Sequence, residues 1–404
     1  MRIAFFVQHL IGRGVEKSLE NLVEFFSSFP DTQIFIYVAK KDNTNYYSFP
    51  KNITILEIPM DKKIRKAIPI GGIHYFLSKK RFKIVWLNKL LLKKIFYHTG
   101  FSELNIPFNK IPFLPENFDI AICYHMHSPF ILKYVSEKVT SSLKFCWIHN
   151  DFKTTKFNIR SLKKYVDSYN HFFCVSKDLE NEFIDIFPEK KDLTSTLYNL
   201  INFKEIYFKS LYQISWKTPC LKLLTIAALE KQKGLFLLIA TANELKKQKV
   251  KFEWYILGDG TLKKKLTKSI VKYHLQSEIQ LKGFVENPYP YYKKCDVYCQ
   301  TSEHEGYCTT ITEAKLFNKP IVTTFFSGIQ EQLKNYKAAI ISKRDPFSFS
   351  SNIQIINREK INSDFNLEEK NSFLDFSWLR LFGINDSSSG EKEEMIKYIG
   401  KLMK

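Results

Sequence analysis

Two carboxylates eight positions apart, Glu305 and Glu313, are the residues best placed to do chemistry in this 404-residue chain. They lie in TSEHEGYCTTITEAKLFNKPIVTTFFSGIQEQL, Thr301–Leu333, directly after an apolar run suited to a strand. Gly306 stands between that strand and a helix expected to begin near Thr309. Strand, glycine turn and helix N-terminus gather free backbone N–H groups and the positive end of a helix dipole, an anion pocket suited to a diphosphate. Glu305 in the turn and Glu313 inside the helix could each accept hydroxyl hydrogens from a sugar or ribose. Such carboxylate-to-hydroxyl bonds are charge-assisted and directional.

Histidines form the second group of candidates. CYHMHSPF sets His125 and His127 at the end of one expected strand, and CWIHNDF sets His149, Asn150 and Asp151 at the end of the next. Carboxyl ends of parallel strands are where open α/β sheets bind ligands. An ordinary strand-end histidine is the competing reading for both. Asp151 is open between orienting His149 and capping a helix.

The elements that must position these residues alternate. A strand over Arg2–Gln8 is followed by a glycine turn and a helix from Val15 to about Phe26. Further strands are expected at Gln33–Val38, Ile53–Ile58, Ile84–Leu87, Asp119–Tyr124, Lys144–Ile148 and His171–Val175. The alternation lapses over Asn202–Trp216 and restarts with strands at Lys222–Ile226, Phe252–Leu257, Ile279–Lys282, Val297–Gln300 and Pro320–Thr324. Helices are expected between them over Gly234–Lys246, Leu262–His274, Pro290–Lys294 and Thr309–Phe317. This is the pattern of an α/β chain with two consecutive Rossmann-like halves, each a doubly wound parallel sheet, over residues 1–204 and 205–386. Arg344–Asp386 has weak periodicity and Ser387–Gly390 reads as a linker. Residues 387–404 end in Met395, Ile396, Ile399, Leu402 and Met403 at the spacing of an amphipathic helix.

On these residues the chain resembles glycosyltransferase family 4, the retaining GT-B enzymes. Glu305 and Glu313 match its E-x7-E, Lys319–Pro320 its K-P, and Gly328 and Glu331 its glycine loop. In order along the chain, Gly14–Glu16, Cys174–Lys177, Tyr198–Asn202, Lys233–Gly234, Gly258–Gly260 and Gly283–Val285 are similar to further short motifs of that family. The resemblance spans roughly residues 1–335 and is carried by the shared order and spacing. It implies two Rossmann-like domains facing a cleft, with acceptor on the first and nucleotide sugar on the second. It further implies that Glu313 holds the ribose, Glu305 the donor sugar, amides from Gly306 through Tyr307, Cys308 and Thr309 the diphosphate, and Lys233 its charge. Backbone near Phe284–Val285 would face the base. Gly14 would allow the first turn close to the phosphates, since a side chain there would collide. By position His149 matches the family histidine beside the reacting sugar, leaving His127 and Asp151 on the acceptor side.

The chain departs from the family at Ala227–Ala228–Leu229, where an arginine usually follows a glycine; Lys231 or Lys222 is the candidate replacement. A point-charge lysine lacks the planar fork of a guanidinium. Arg13, Leu200 and Cys308 stand where glycines are common. The implied activity is retaining transfer of a hexose or N-acetylhexosamine from a nucleotide sugar, UDP-linked, onto a growing cell-surface glycan such as lipopolysaccharide, lipooligosaccharide, capsule or another lipid-linked saccharide. A non-catalytic sugar-nucleotide-binding or scaffold protein of the same fold is the alternative raised by Ala228.

Bulk properties narrow the field. No D-x-D motif occurs, so no metal and no cofactor beyond the substrate is expected. The formal net charge of +20 calls for an anionic partner. From Lys62 to Ser102 there is no acidic residue, and lysines and arginines alternate there with Ile68, Tyr75, Phe76, Trp86, Leu90–Leu92, Phe96 and Tyr97. Region 62–97 therefore suits an anionic membrane surface, with rings at headgroup level and cations on phosphates. Its aliphatic content argues against nucleic acid. Gly12 and Gly14 begin a G-x-G-x-x-G, but Lys17 occupies the third position, against a dinucleotide oxidoreductase. The seven cysteines form no CxxC pair and read as reduced, buried thiols. With no signal-like core and no run of about 18 apolar residues, the expected location is the cytoplasm, peripheral to the inner membrane face.

Overall fold

A computed structural model of the chain describes residues 1–10, 14–29, 31–39, 49–50, 52–61, 65, 108–152, 162–216 and 220–359. They divide into two compact units, Met1–Leu200 and Ile201–Lys404. The first holds a seven-stranded sheet of β1 (Arg2–Val7), β2 (Gln33–Val38), β3 (Ile53–Glu57), β4 (Asn117–Cys123), β5 (Thr140–Ile148), β6 (His171–Cys174) and β7 (Thr194–Thr196). Every pairing in it is parallel, in the order β3-β2-β1-β4-β5-β6-β7. Its described α-helices are α1 (Gly14–Ser27), α2 (Pro129–Lys138), α3 (Lys163–Val166) and α4 (Lys177–Ile186).

The second unit repeats the plan with a six-stranded parallel sheet of β8 (Leu221–Ile226), β9 (Phe252–Leu257), β10 (Ile279–Gly283), β11 (Val297–Gln300), β12 (Ile321–Thr324) and β13 (Ala339–Ser342), ordered β10-β9-β8-β11-β12-β13. Its helices are α5 (Phe203–Ser210), α6 (Leu235–Lys247), α7 (Lys263–Lys272), α8 (Tyr289–Lys294), α9 (Thr309–Leu316), α10 (Ile329–Gln332) and α11 (Pro346–Glu359). Strands covered on both faces must be apolar almost throughout, which explains β1 as Arg-Ile-Ala-Phe-Phe-Val and β9 as Phe-Glu-Trp-Tyr-Ile-Leu. Alternate side chains feed two separate cores. Leu223, Trp254 and Ile256 pack with Leu238, Leu266 and Phe349, whereas Leu224, Tyr255 and Leu257 pack with Tyr292, Ile311 and Ile329.

In each sheet the order reverses beside its first strand, between β1 and β4 and between β8 and β11. The crevice outside the carboxyl ends at such a point is the ligand position of doubly wound folds. Lys233, Glu305 and Gly306 lie in loops after β8 and β11, and His125 and His127 in the loop after β4, beside these reversals.

Two helices differ from the sequence expectation. Residues Phe203–Ser210, expected to be irregular, form α5, because Asn202 accepts the Glu205 amide at 2.9 Å and caps it. The stretch after Lys343 forms α11, whose Phe349, Ile353 and Ile356 are fully buried. Their spacing of four and three is helical, but polar neighbours dilute the pattern. The expected strand Ile84–Leu87, the basic region 62–97 apart from Arg65, and residues 387–404 lie outside the described residues. Arg65 itself is engaged inside its unit, donating to Ala39 O and Ile58 O at 3.0 Å each and pairing with Glu57. No described helix is long and apolar enough to cross a membrane. The cysteines are free, and all but Cys220 are buried.

Candidate functional site

Lys233, Glu305 and the start of α9 meet at the switch point of the second sheet, whereas Gly14 lies in the other unit and Phe284–Val285 follow the edge strand β10. After β8 a short 3-10 turn, Lys231–Lys233, ends at Gly234, whose φ of 61° places it in the left-handed region. A Cβ on Gly234 would stand 2.0 Å from the carbonyl oxygen of Thr301, so only glycine lets this turn lie against the loop after β11. The two loops are stitched together: Thr301 Oγ1 donates to Lys233 O at 2.9 Å, and the Glu303 amide donates to Gln232 O at 2.6 Å. This seam brings Lys233 Nζ onto Glu305 Oε1 at 2.5 Å.

Glu305 is held from behind as well. Ser302 Oγ donates to the same oxygen at 2.6 Å, Gln300 Nε2 donates to Ser302 Oγ at 2.7 Å, and Tyr298 OH donates to Gln300 Oε1 at 2.7 Å. Every contact of Glu305 among the described residues falls on Oε1. Oε2 is left without a hydrogen bond among the described residues. Lys233, assigned by resemblance to the diphosphate charge, is first of all the counter-ion of Glu305.

Glu313 is buried in α9, and its Oε2 accepts from Tyr292 OH at 2.8 Å. The same hydroxyl lies 3.1 Å from Thr310 O, so Tyr292 ties Glu313 to the first turn of its own helix. Gly306 and Tyr307 are buried just ahead of that turn, with Thr309 half-buried at its start. Cys308 is the N-cap residue but makes no side-chain cap bond. Burial, and then the field of Glu305, push its thiol up to about 12, so it is no thiolate at neutral pH. Phe284 is exposed and Val285 half-buried after β10, beside the Gly258–Gly260 turn through the 2.7 Å bond of Gly258 N to Gly283 O. Two strands, β9 and β8, separate β10 from β11 and the Glu305 loop.

Of the two lysines considered for the missing arginine, Lys222 is ruled out by topology. It begins β8 at the amino end, its amide on Asp296 Oδ2 at 2.7 Å, the full length of the strand away from the site. Lys231 lies in the carboxyl-edge turn. A guanidinium does reach this edge from elsewhere: Arg344, after β13, donates to Ser302 O at 2.6 Å and pairs with Glu303 at 3.4 Å. Thr324 Oγ1 donates to the same carbonyl at 2.7 Å.

In the N-terminal unit the strand-end histidines cluster at the other switch point. The Gln8 amide, at the end of β1, donates to His125 Nδ1 at 3.1 Å, and His9 Nδ1 meets the buried Glu16 at 3.1 Å. Burial would raise the Glu16 carboxyl, but its bond to His9 and the fields of His125 and His9 leave it below the usual range. Gly14 opens α1 and is exposed. His149 is buried with its ring 4.6 Å from that of Tyr124. Burial, with His125 and His127 nearby, holds its pKa well below the ordinary value against an opposing bond to the Tyr124 backbone, so it is neutral. Its Nε2 has no hydrogen-bond partner among the described residues. Burial also lowers His127 to about 4, and the charge that opposes this is that of Asp151. The charge of Asp151 is therefore felt at His127.

Sequence reasoning missed Tyr298, Gln300, Ser302, Tyr292 and Arg344. The first three share one side of the chain at every second position, a period-2 polar row at the end of an apolar strand, and that signal was legible. Tyr292 and Arg344 come from distant elements and left none. Among the described residues no group of three or more His, Cys, Asp or Glu side chains could hold a metal ion.

Two 3-2-1-4-5-6-type parallel sheets and a carboxylate-bearing loop at a helix N-terminus define a GT-B protein. Anabaena HepE in complex with UDP and glucose superposes with a TM-score of 0.61 over 89% of this chain and 91% of that one, at 14% identity. The family model of glycosyl transferases group 1 matches residues 213–370. A Campylobacter jejuni protein, N-acetylgalactosamine-N,N'-diacetylbacillosaminyl-diphospho-undecaprenol 4-alpha-N-acetylgalactosaminyltransferase, is 32% identical over 271 residues, 66% of this chain and 71% of that protein. An uncharacterized glycosyltransferase of Methanocaldococcus jannaschii is 26% identical over 209 residues, 51% of this chain, which spans only 55% of that relative's length. The chain belongs to the glycosyl transferases group 1 family.

Proposed function

We propose that this protein is a metal-independent, retaining glycosyltransferase that moves a hexose or N-acetylhexosamine from a UDP-sugar to a growing cell-surface glycan carried on a lipid. The observation that carries this reading is the preset carboxylate of Glu305, locked through Oε1 by Lys233 and Ser302 and left with Oε2 for a sugar hydroxyl. Glu313, steadied by Tyr292, takes the ribose hydroxyls, and the amides at the start of α9 take the diphosphate. As the bond from the anomeric carbon to the diphosphate oxygen breaks, these amides and nearby cations stabilise the developing charge. The acceptor hydroxyl attacks from the same face, and the departing diphosphate oxygen takes its proton. Within the N-terminal unit, neutral His149 offers a buried Nε2 with no hydrogen-bond partner among the described residues for a ligand hydroxyl. The lipid-linked acceptor and the placement at the inner membrane face rest on the basic, aromatic composition of region 62–97 and on the printed substrate of the Campylobacter relative.

Thermal stabilisation and nucleotide release across a panel of nucleotide sugars test the proposal, with Glu305→Ala and Glu313→Ala as controls. A UDP-sugar raises the melting temperature and releases UDP in the wild type, while both variants stay folded and lose transfer. Full transfer in both variants sinks the site assignment. Ala228 favours a second reading, binding without transfer, for which stabilisation with no UDP release in the presence of any acceptor would be the outcome.

A further inference from the structure

The N-terminus of α9 has an unusual cap. Cys308 occupies the N-cap position with φ −87° and ψ 92°, and no side chain of its own turn accepts the first amides. A cysteine there is a poor substitute for Ser, Thr, Asp or Asn. The N-cap residue itself is instead held by a separate element. Gln332, the last residue of α10 and itself 5% exposed, accepts the Cys308 amide on Oε1 at 3.3 Å and donates from Nε2 to Cys308 O at 2.7 Å. The same Nε2 donates to Thr312 Oγ1 at 2.7 Å. Exchanging the amide oxygen and nitrogen would set N–H against N–H and oxygen against oxygen, so the backbone of Cys308 dictates the orientation. Lys315 Nζ returns a bond to Gln332 O at 2.7 Å, fastening α10 to the far end of α9 as well.

The clamp has a consequence for the donor. The Cys308 amide, one of those expected to meet the diphosphate, is already committed to Gln332. The amides of Thr309 and Thr310 then remain as the first donors of the helix. Their direction follows from the backbone angles of Cys308, which Gln332 grips from both sides. We propose that Gln332 is a positioning residue for diphosphate binding: it acts through Cys308 to aim the Thr309 and Thr310 amides. This rests on the donor-site reading given under the proposed function.

The test compares UDP with uridine by titration calorimetry on the full-length wild type, Gln332→Leu and the near-isosteric Gln332→Glu. Wild type binds UDP; if it binds neither UDP nor uridine, the donor-site reading fails and the proposal with it, a result distinct from any difference between the variants. In Gln332→Leu, UDP binding weakens by about tenfold while uridine affinity stays within about twofold. Gln332→Glu keeps an acceptor for the Cys308 amide but turns a carboxylate on Cys308 O, and it weakens UDP at least as much, again sparing uridine. Equal losses for uridine and UDP would mean that Gln332 merely supports the fold, and unchanged UDP affinity in both variants would mean that the clamp aims nothing. Either result overturns the proposal.

Discussion

Glu305→Gln keeps the shape of the side chain and removes its charge, leaving Lys233 Nζ opposite an uncharged amide. The two side chains are 17% and 10% exposed, so the pair is largely shielded from water. Removing one partner of a buried pair costs roughly 3–5 kcal/mol. The residual exposure of Lys233 lets its ammonium swing toward solvent, so about 2 kcal/mol is the expected loss. Lys233→Met should cost a similar amount, because it strands the carboxylate against Ser302. The double variant, with neither charge present, should be more stable than the sum of the two losses by about 1.5–2 kcal/mol. Activity behaves otherwise. Under the proposed function a charge-assisted bond from Oε2 to a sugar hydroxyl would be worth roughly 1.5–3 kcal/mol, so kcat/KM should fall about 10–100-fold in Glu305→Gln and stay low in the double variant. Urea unfolding and transfer kinetics on the four proteins measure both effects. Additive stability losses, or a double variant that regains wild-type transfer, would refute the reasoning.

Three further outcomes are expected. Gly234→Ala places a methyl 2.0 Å from Thr301 O at a positive φ, and should destabilise the C-terminal unit by about 2 kcal/mol or more and depress transfer with it; a variant melting like wild type would show that the seam yields. Tyr292→Phe deletes a donor to buried Glu313, and should cost about 1–3 kcal/mol in stability and raise KM for the nucleotide sugar several-fold with little change in kcat; an unchanged KM would detach Tyr292 from the ribose grip. His125 and His127 are each held near 4, below the roughly 6.5 of the unfolded chain, primarily by burial. Between those values the unfolded chain binds protons that the folded one does not. Stability should therefore be constant above about pH 6.5 and fall by about 1.4 kcal/mol per pH unit for each histidine as pH drops toward 4. His127→Gln should flatten that slope, and a slope unaffected by it would place the titration elsewhere.

Short continuous apolar runs for the strands, alternating with stretches of near-3.6 periodicity for the helices, were enough to show two Rossmann-like sheets, because strands buried on both faces must be apolar almost throughout. α11 escaped that reading: three buried residues over eight positions, set among serines and asparagines, make a helix only because β12, β13 and α6 cover them. The spacing of Glu305, Gly306 and Glu313 placed a turn and a helix start, since those depend on neighbours in the chain. Their division of labour was not local. Lys233 reaches Glu305 from 72 positions away, and Gln332 reaches Cys308 from 24 positions away. The charge of Asp151 acts on His127, 24 positions before it in the chain, across the strand ends. Sequence by itself determined which residues carry charge and hydrogen-bonding atoms, and which elements present them. Only the tertiary structure decided which carboxylate oxygen remains for a ligand and which helix amides are already taken, because hydrogen bonds across a switch point join loops that share no sequence neighbourhood.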